Sequence, residues 1–157
     1  MDNSLKLSNI KFCKTHENSK LPHKTHSADA GYDLFWCPEK SEDWIYINPN
    51  ESKVLPTGLK VYFPEGYVLE VKNRSGMASK GLVVGACIVD STYAGEIFVN
   101  LHNISNSPKK ITVGDKIAQF LVYKIEAPRI EEITNTELEE CHRNSSRGSG
   151  AFGSTGN

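Results

Sequence analysis

GLVVGACIVDSTYAGEIFVNLHN, residues 81–103, holds two apolar runs around a polar centre. The first, Leu82 to Val89, stops at the carboxylate of Asp90. After Ser91-Thr92-Tyr93-Ala94-Gly95 the second begins, with Ile97, Val99 and Leu101 alternating against polar neighbours. Alternation with period two marks a strand buried on one face, and two such runs about a short polar link predict a β-hairpin. Buried strands on both sides would hold the tip stiffly, so Asp90 and Tyr93 would be presented by a rigid frame, which suits catalysis. The same residues also serve as an ordinary turn, in which Asp90 bonds its own backbone and Tyr93 only packs.

Working outward, strand-length pieces precede this stretch at short intervals: Trp44 to Asn48, Lys53 to Leu55, Leu59 to Phe63, and Tyr67 to Lys72. Pro49-Asn50, Pro56-Thr57-Gly58 and Pro64-Glu65-Gly66 separate them, and such punctuation predicts an all-β domain. Leu5, Leu7, Ile10 and Phe12 alternate except for a step at Ser8-Asn9, which reads as a strand with a bulge. Residues 15–27 are a polar loop whose histidines, His16, His23 and His26, lack a cysteine or carboxylate framework of the usual zinc kind and read as solvated. Beyond the central stretch, Gly114-Asp115 predicts a tight turn into the apolar strand that starts at Ile117. Residues 128–145 are polar and acidic, with room for a short helix or a crossing segment. No long helical period interrupts the strands, so a single-domain barrel or jelly roll is favoured over an α/β sheet.

A chain of 157 residues is one domain's worth. Its formal net charge is −1, and lysine and arginine are scattered, so neither a nucleic-acid partner nor an acidic membrane surface is expected. A small anionic ligand remains compatible. The amino-terminal MDNSLKLSNIKF lacks a signal-peptide core and no apolar run reaches membrane-spanning length, so a soluble protein of the cytoplasm or nucleus is expected. Cys13, Cys37, Cys87 and Cys141 are far apart and match no zinc spacing, as reduced thiols would.

Four further places carry chemistry. In Ala28-Asp29-Ala30-Gly31-Tyr32-Asp33-Leu34-Phe35, small residues allow close backbone approach, and Asp33 is a carboxylate inside a strand-like run that needs a partner. Asn73-Arg74-Ser75-Gly76 breaks the strand pattern with a guanidinium, a hydroxyl and a glycine N–H, donors that suit polyphosphate oxygens and equally suit a surface turn. Gln119 lies among Ile117, Ala118, Phe120 and Leu121, and must find partners if it points inward. The carboxyl-terminal RGSGAFGSTG, residues 147–156, contains G-x-G-x-x-G, but without the strand before and helix after that a dinucleotide fold needs. Arg147 and Phe152 give this arm a phosphate fork and a flat ring that could stack on a base.

In order along the chain, these five places resemble the five motifs of the trimeric dUTP pyrophosphatases (dUTPases). Ala28 to Leu34 is similar to A-x-x-G-x-D-L, Arg74 to Ala78 to P-R-S-G-x-A with Asn73 at the proline, and Asp90 to Glu96 to D-x-x-Y-x-G-E. Gly114 to Gln119 is similar to G-D-x-I-A-Q, and residues 147–156 to R-G-x-G-G-F-G-S-T-G with Ala151 at one glycine. Cys87, Thr92 and Phe98 also depart from residues common in that family. Any one motif is weak; the ordered set is strong.

The resemblance implies an all-β jelly-roll or barrel of the β-clip type spanning residues 1–142, with a flexible glycine-rich arm, 143–157, closing over a subunit-interface site of a homotrimer. It implies magnesium-dependent hydrolysis of dUTP to dUMP and pyrophosphate. Asp90 would be the catalytic base, and Asp33 would reach a phosphate-bound Mg2+ through water. Arg74, Ser75, Gly76, Gln119 and Arg147 would grip phosphates; Cys87, Tyr93, Glu96 and Phe98 would meet sugar and base; Phe152, Gly153 and Ser154 would close over the nucleotide. Two other readings share these motifs: a dUTPase-like protein that binds nucleotide or a regulatory partner without turnover, and a deoxycytidine triphosphate deaminase.

Overall fold

The computed structural model describes residues 9–40 and 42–145. Its strands form two four-stranded antiparallel sheets and a ribbon. The first sheet runs β1 (Lys11–Lys14), β4 (Ser52–Tyr62), β8 (Glu96–Asn103), β6 (Leu82–Val84). The second runs β2 (Tyr32–Phe35), β10 (Lys116–Lys124), β5 (Tyr67–Lys72), β7 (Ile88–Asp90). The ribbon pairs β3 (Trp44–Ile47) with β9 (Lys109–Thr112). The expected all-β architecture is what the chain adopts.

One apolar cluster takes side chains from both sheets and the ribbon. Ile97, Val99 and Leu101 alternate inward from β8, as expected, and meet Leu34, Leu69, Val71 and Phe120 of the second sheet and Ile47 and Ile111 of the ribbon. Each such side chain contributes about 1.5–3 kcal/mol relative to exposure. Period-two burial therefore fixes the register: a one-residue slip of β8 would turn all three outward.

Two expectations need correction. Pro56-Thr57-Gly58 does not separate two strands, because β4 continues through it with a shift of register, Pro56 opposing Phe98 and Lys60 opposing Glu96. The irregularity is sealed by other bonds: Thr57 Oγ1 donates to the Ile97 carbonyl (2.7 Å), and the Gly58 N–H donates to Glu96 Oε1 (2.7 Å). Residues 82–90 are likewise not one arm of a hairpin. They divide at Gly85-Ala86-Cys87 into β6, which pairs with β8, and β7, which crosses to pair with β5 of the other sheet. The stretch thus stitches the two sheets together, and the loop after Asp90 spans between them.

Contacts divide the chain into two compact units, Met1–Glu126 and Ala127–Asn157. In the second, α2 (Asn135–Cys141) is the short helix for which residues 128–145 had room. A reciprocal capping box starts it: Thr134 Oγ1 accepts from the Glu137 N–H, while the Glu137 carboxylate accepts from the Thr134 N–H and hydroxyl. The other helix, α1 (Ser75–Ala78), follows β5. No helix among the described residues is long and apolar enough to cross a membrane.

Candidate active site

The strand register assembles three separated motifs side by side. Gln119 of β10 pairs with Asp33 of β2 on one side and Lys72 of β5 on the other, and Arg74 lies two residues beyond Lys72. Asp33 is buried. Its Oδ1 accepts from Arg74 Nε (2.7 Å), and its Oδ2 accepts from Lys116 Nζ (2.7 Å). Arg74 Nη1 also donates, at 3.3 Å, to the Lys116 carbonyl. The carboxylate that needed a partner has two, and it fixes the plane of the guanidinium.

Gln119 is half-buried, and its Nε2 donates to the Asn73 carbonyl (2.8 Å). Its side chain lies across Gly31: a Cβ on that glycine would collide with Gln119 Oε1 and stand 2.8 Å from its Cδ. Gly31 is therefore small because Gln119 occupies the space. Asn73, at the family's proline, ties its Oδ1 to the Val84 N–H (2.6 Å), so a hydrogen bond holds the junction between β5 and α1. Hydrogen bonds within α1 begin with the N–H of Met77, and Ser75 and Gly76 precede it. A Cβ on Gly76 would meet nothing within 4 Å. Arg74, Ser75, Gly76, Gln119, Asp33 and Gly31 all border one hollow of about 250 Å³.

A second hollow, of about 200 Å³, is bordered by Cys87, Asp90, Tyr93, Glu96, Ile97 and Phe98, among others. Asp90 ends β7. Its carbonyl closes the turn by accepting from the Tyr93 N–H (3.1 Å), while its exposed carboxylate takes part in no hydrogen bond or ion pair among the described residues. The side chain is thus not the turn-former that an ordinary Asx reading would make it. Tyr93 folds back over Gly95, where a Cβ would collide with its ring, and its hydroxyl donates to the Glu96 carbonyl (2.9 Å). That explains the tyrosine-glycine-glutamate spacing: the glycine admits the ring and the next carbonyl anchors it.

The Glu96 carboxylate works inside the fold, accepting from the Gly58 N–H (2.7 Å) and the Thr15 hydroxyl (3.4 Å). Cys87 Sγ donates to the Gly85 carbonyl (2.6 Å), and the Cys87 carbonyl accepts from the Val71 N–H (2.7 Å). Phe98 is 45% exposed on the outer face of β8.

Among the described residues the two hollows share no bordering residue, Asp90 lining one and Arg74 and Gln119 the other. Arg147, Phe152, Gly153 and Ser154 lie outside the described residues. Lys116 and Asn73, which the sequence did not single out for a role, support the first hollow from behind, Lys116 by holding Asp33 and Asn73 by holding Gln119. Lys116 could have been found from its place after the Gly114-Asp115 turn, opposite β2. Of the loop histidines, His23 and His26 are exposed, as expected, with His23 stacked on Phe35 at 5.2 Å; His16 departs from that reading, being half-buried with its Nε2 buried.

A family model described as dUTPase matches residues 17–156. The deoxyuridine 5'-triphosphate nucleotidohydrolase of Yarrowia lipolytica is 34% identical over 148 residues, 94% of this chain and 88% of that one. The Fowlpox virus protein of the same name is 37% identical over 144 residues, 91% of this chain and 94% of its own. Among solved structures, a variant dUTPase of Staphylococcus bacteriophage 80alpha with dUpNHpp superposes with a TM-score of 0.81 at 26% identity, covering 96% of this chain and 99% of that one. A variant dUTPase from phage phi11 of S. aureus, described as coordinating a structural Mg(II) ion, gives 0.71 at 26% identity, covering 80% and 96%. With a family match that runs through nearly the whole chain and relatives above 30% identity along most of their length, this chain belongs to the dUTPase family.

Proposed function

We propose that the protein hydrolyses dUTP to dUMP and pyrophosphate, lowering dUTP and supplying the precursor of dTMP. The observation that carries this reading is the division of labour between the hollows: an unpaired exposed carboxylate, Asp90, in one and an organised set of donors, Arg74, Ser75, Gly76 and Gln119, in the other. Phosphoryl transfer from an anhydride needs an in-line nucleophile and neutralisation of spreading charge, and no covalent intermediate. Asp90 orients and deprotonates a water that attacks the α-phosphorus, a general-base role usually worth about 10²–10⁴-fold. The Tyr93 ring, held by its hydroxyl on Glu96, packs against the sugar and leaves no space for a 2′-hydroxyl. Backbone groups of residues 96–98 read the uracil edge, with Cys87 and Phe98 bordering the base.

Because the hollows are separate, a complete site uses two copies of the chain, and a homotrimer is the assembly that the family resemblance supplies. Its arm, residues 143–157, would bring Arg147 to the phosphates and Phe152, Gly153 and Ser154 over the nucleotide of another subunit, excluding water when closed. The donor set fits magnesium carried in by the substrate. Both oxygens of Asp33 are engaged by cations, which favours contact with the ion through water, and phosphate oxygens would supply the direct ligands. When bound, the ion would neutralise developing phosphate charge. The four cysteines are free, in keeping with a reducing, cytoplasmic or nuclear compartment.

The test is incubation of the purified chain with magnesium and dUTP, dCTP, dTTP or UTP, with pyrophosphate and ammonia measured separately. Pyrophosphate from dUTP alone is expected. Ammonia from dCTP would make the protein a deaminase, and nucleotide binding without release would make it a sensor. Asp90→Asn should retain dUTP binding and lose at least about 100-fold in kcat; a fully active variant would overturn the assignment of the base.

A further inference from the structure

His16, Glu39 and Glu96 come from three distant parts of the chain, yet each offers a ligand atom such that all three lie within 4.8 Å of one another. His16 Nε2 is buried and has no hydrogen-bond partner among the described residues. None of the ion pairs among those residues involves His16. A buried ring nitrogen left unpaired carries its full desolvation penalty, so a partner beyond the described polar groups is called for.

We propose that these three side chains bind a divalent transition metal of the zinc class, at a site separate from the one that takes phosphate-bound magnesium. One imidazole and two carboxylates form a borderline donor set that suits zinc, whereas magnesium prefers oxygen alone. Three protein ligands leave a fourth position for water. None of the three residues borders the hollow of Asp33 and Arg74.

Glu96 is already held for this task. One of its oxygens accepts from the Gly58 N–H at 2.7 Å and the other from the Thr15 hydroxyl at 3.4 Å, outer contacts of the kind that orient metal-bound carboxylates. Ligand atoms stand at about 2.0–2.2 Å from zinc, so any pair near the 4.8 Å limit must draw together on binding. Glu39 is exposed on the segment between β2 and β3 and can make that movement. The ion would pin this segment and the loop after β1 to the start of β8. The inference does not depend on the hydrolytic reading.

The test uses the full chain, stripped with chelator, titrated calorimetrically with zinc and separately with cobalt, and followed by thermal melting. One ion per chain and a raised melting temperature are expected, with cobalt giving ligand-field bands and no thiolate charge-transfer band. Glu39→Gln and His16→Ala should each weaken zinc binding by about 100-fold, the scale on which metal sites respond to loss of a supporting group. Should His16→Ala fail to fold, Glu39→Gln decides, because its side chain is exposed. Unchanged zinc affinity in Glu39→Gln, a thiolate band with cobalt, or no binding by the unaltered chain would each overturn the proposal.

Discussion

Replacing Asp33 by asparagine tests how far the hollow bordered by Arg74 and Gln119 depends on one buried charge. The carboxylate is 10% exposed, whereas the side chains of Arg74 and Lys116 are 29% and 30% exposed. Each cation contact at 2.7 Å is a charge-assisted bond of about 1.5–3 kcal/mol, and breaking a buried pair costs about 3–5 kcal/mol. Partial solvation of both cations and the acceptor oxygen retained by asparagine reduce this, so Asp33→Asn should destabilise by about 2–3 kcal/mol. An asparagine oxygen can keep the Arg74 contact only without its charge, and the other one, 3.3 Å to the Lys116 carbonyl, is too long to fix the guanidinium alone. Misplacing a positioning group by about 1 Å can cost about 10²-fold, so kcat/KM for dUTP should fall by about 10–100-fold. Lys116→Met is the companion: it leaves the bond between Asp33 and Arg74 in place, so it should lose stability with a smaller loss of activity. Urea unfolding, followed by tryptophan fluorescence at one protein concentration, gives the first quantity, since Trp36 is buried. Pyrophosphate release gives the second. Asp33→Asn within about 0.5 kcal/mol of the parent would refute the energetic argument, that being the range of ordinary surface substitutions. Lost stability with full activity would show that Asp33 does not orient Arg74 for catalysis.

Gly31→Ala should push Gln119 off the Asn73 carbonyl, costing about 1 kcal/mol in urea unfolding and at least about tenfold in kcat/KM; undiminished turnover would remove Gln119 from the site. Gly76→Ala meets nothing within 4 Å among the described residues, so melting should be unchanged while KM for dUTP rises; an unaltered KM would mean that nothing approaches that backbone closely. In α2, the backbone N–H of Thr134, and then its hydroxyl, hold the Glu137 carboxyl below the usual carboxylate range, against a smaller desolvation effect. A lowered folded value means that the cap's contribution is present above the unfolded value and is lost as pH falls through the folded one. The Thr134 amide resonance should follow that acid titration, and a midpoint at the ordinary glutamate value would contradict it.

The chain showed its β-class and its five motifs in the sequence because both are local: period-two burial in β8 and short strings of fixed residue type. What it hid was pairing. Leu82 to Val89 reads as one apolar run, and only the two sheets' competition for it explains the break at Gly85. Pro56-Thr57-Gly58 has the composition of a turn, yet Thr57 and Gly58 find partners across the sheet and β4 runs on. Lys116 went unnoticed because its partner lies more than eighty residues earlier, and the neighbours of His16 were hidden because they come from two separate later segments. Asp90 was legible in place, though only the structure shows that its side chain is spared from turn-making.

The crossing of residues 82–90 from one sheet to the other has a mechanical side. The loop from Ser91 to Gly95 is hung between β7 and β8, which belong to different sheets, with Val89 and Ile97 sunk in the common core at its two roots. Any change in the spacing or shear of the sheets must stretch or slacken that span. A close-packed interior transmits such displacement rather than absorbing it. Asp90 and Tyr93 therefore ride on a strain gauge for the whole sandwich, so repacking a distant core residue would displace them without touching them.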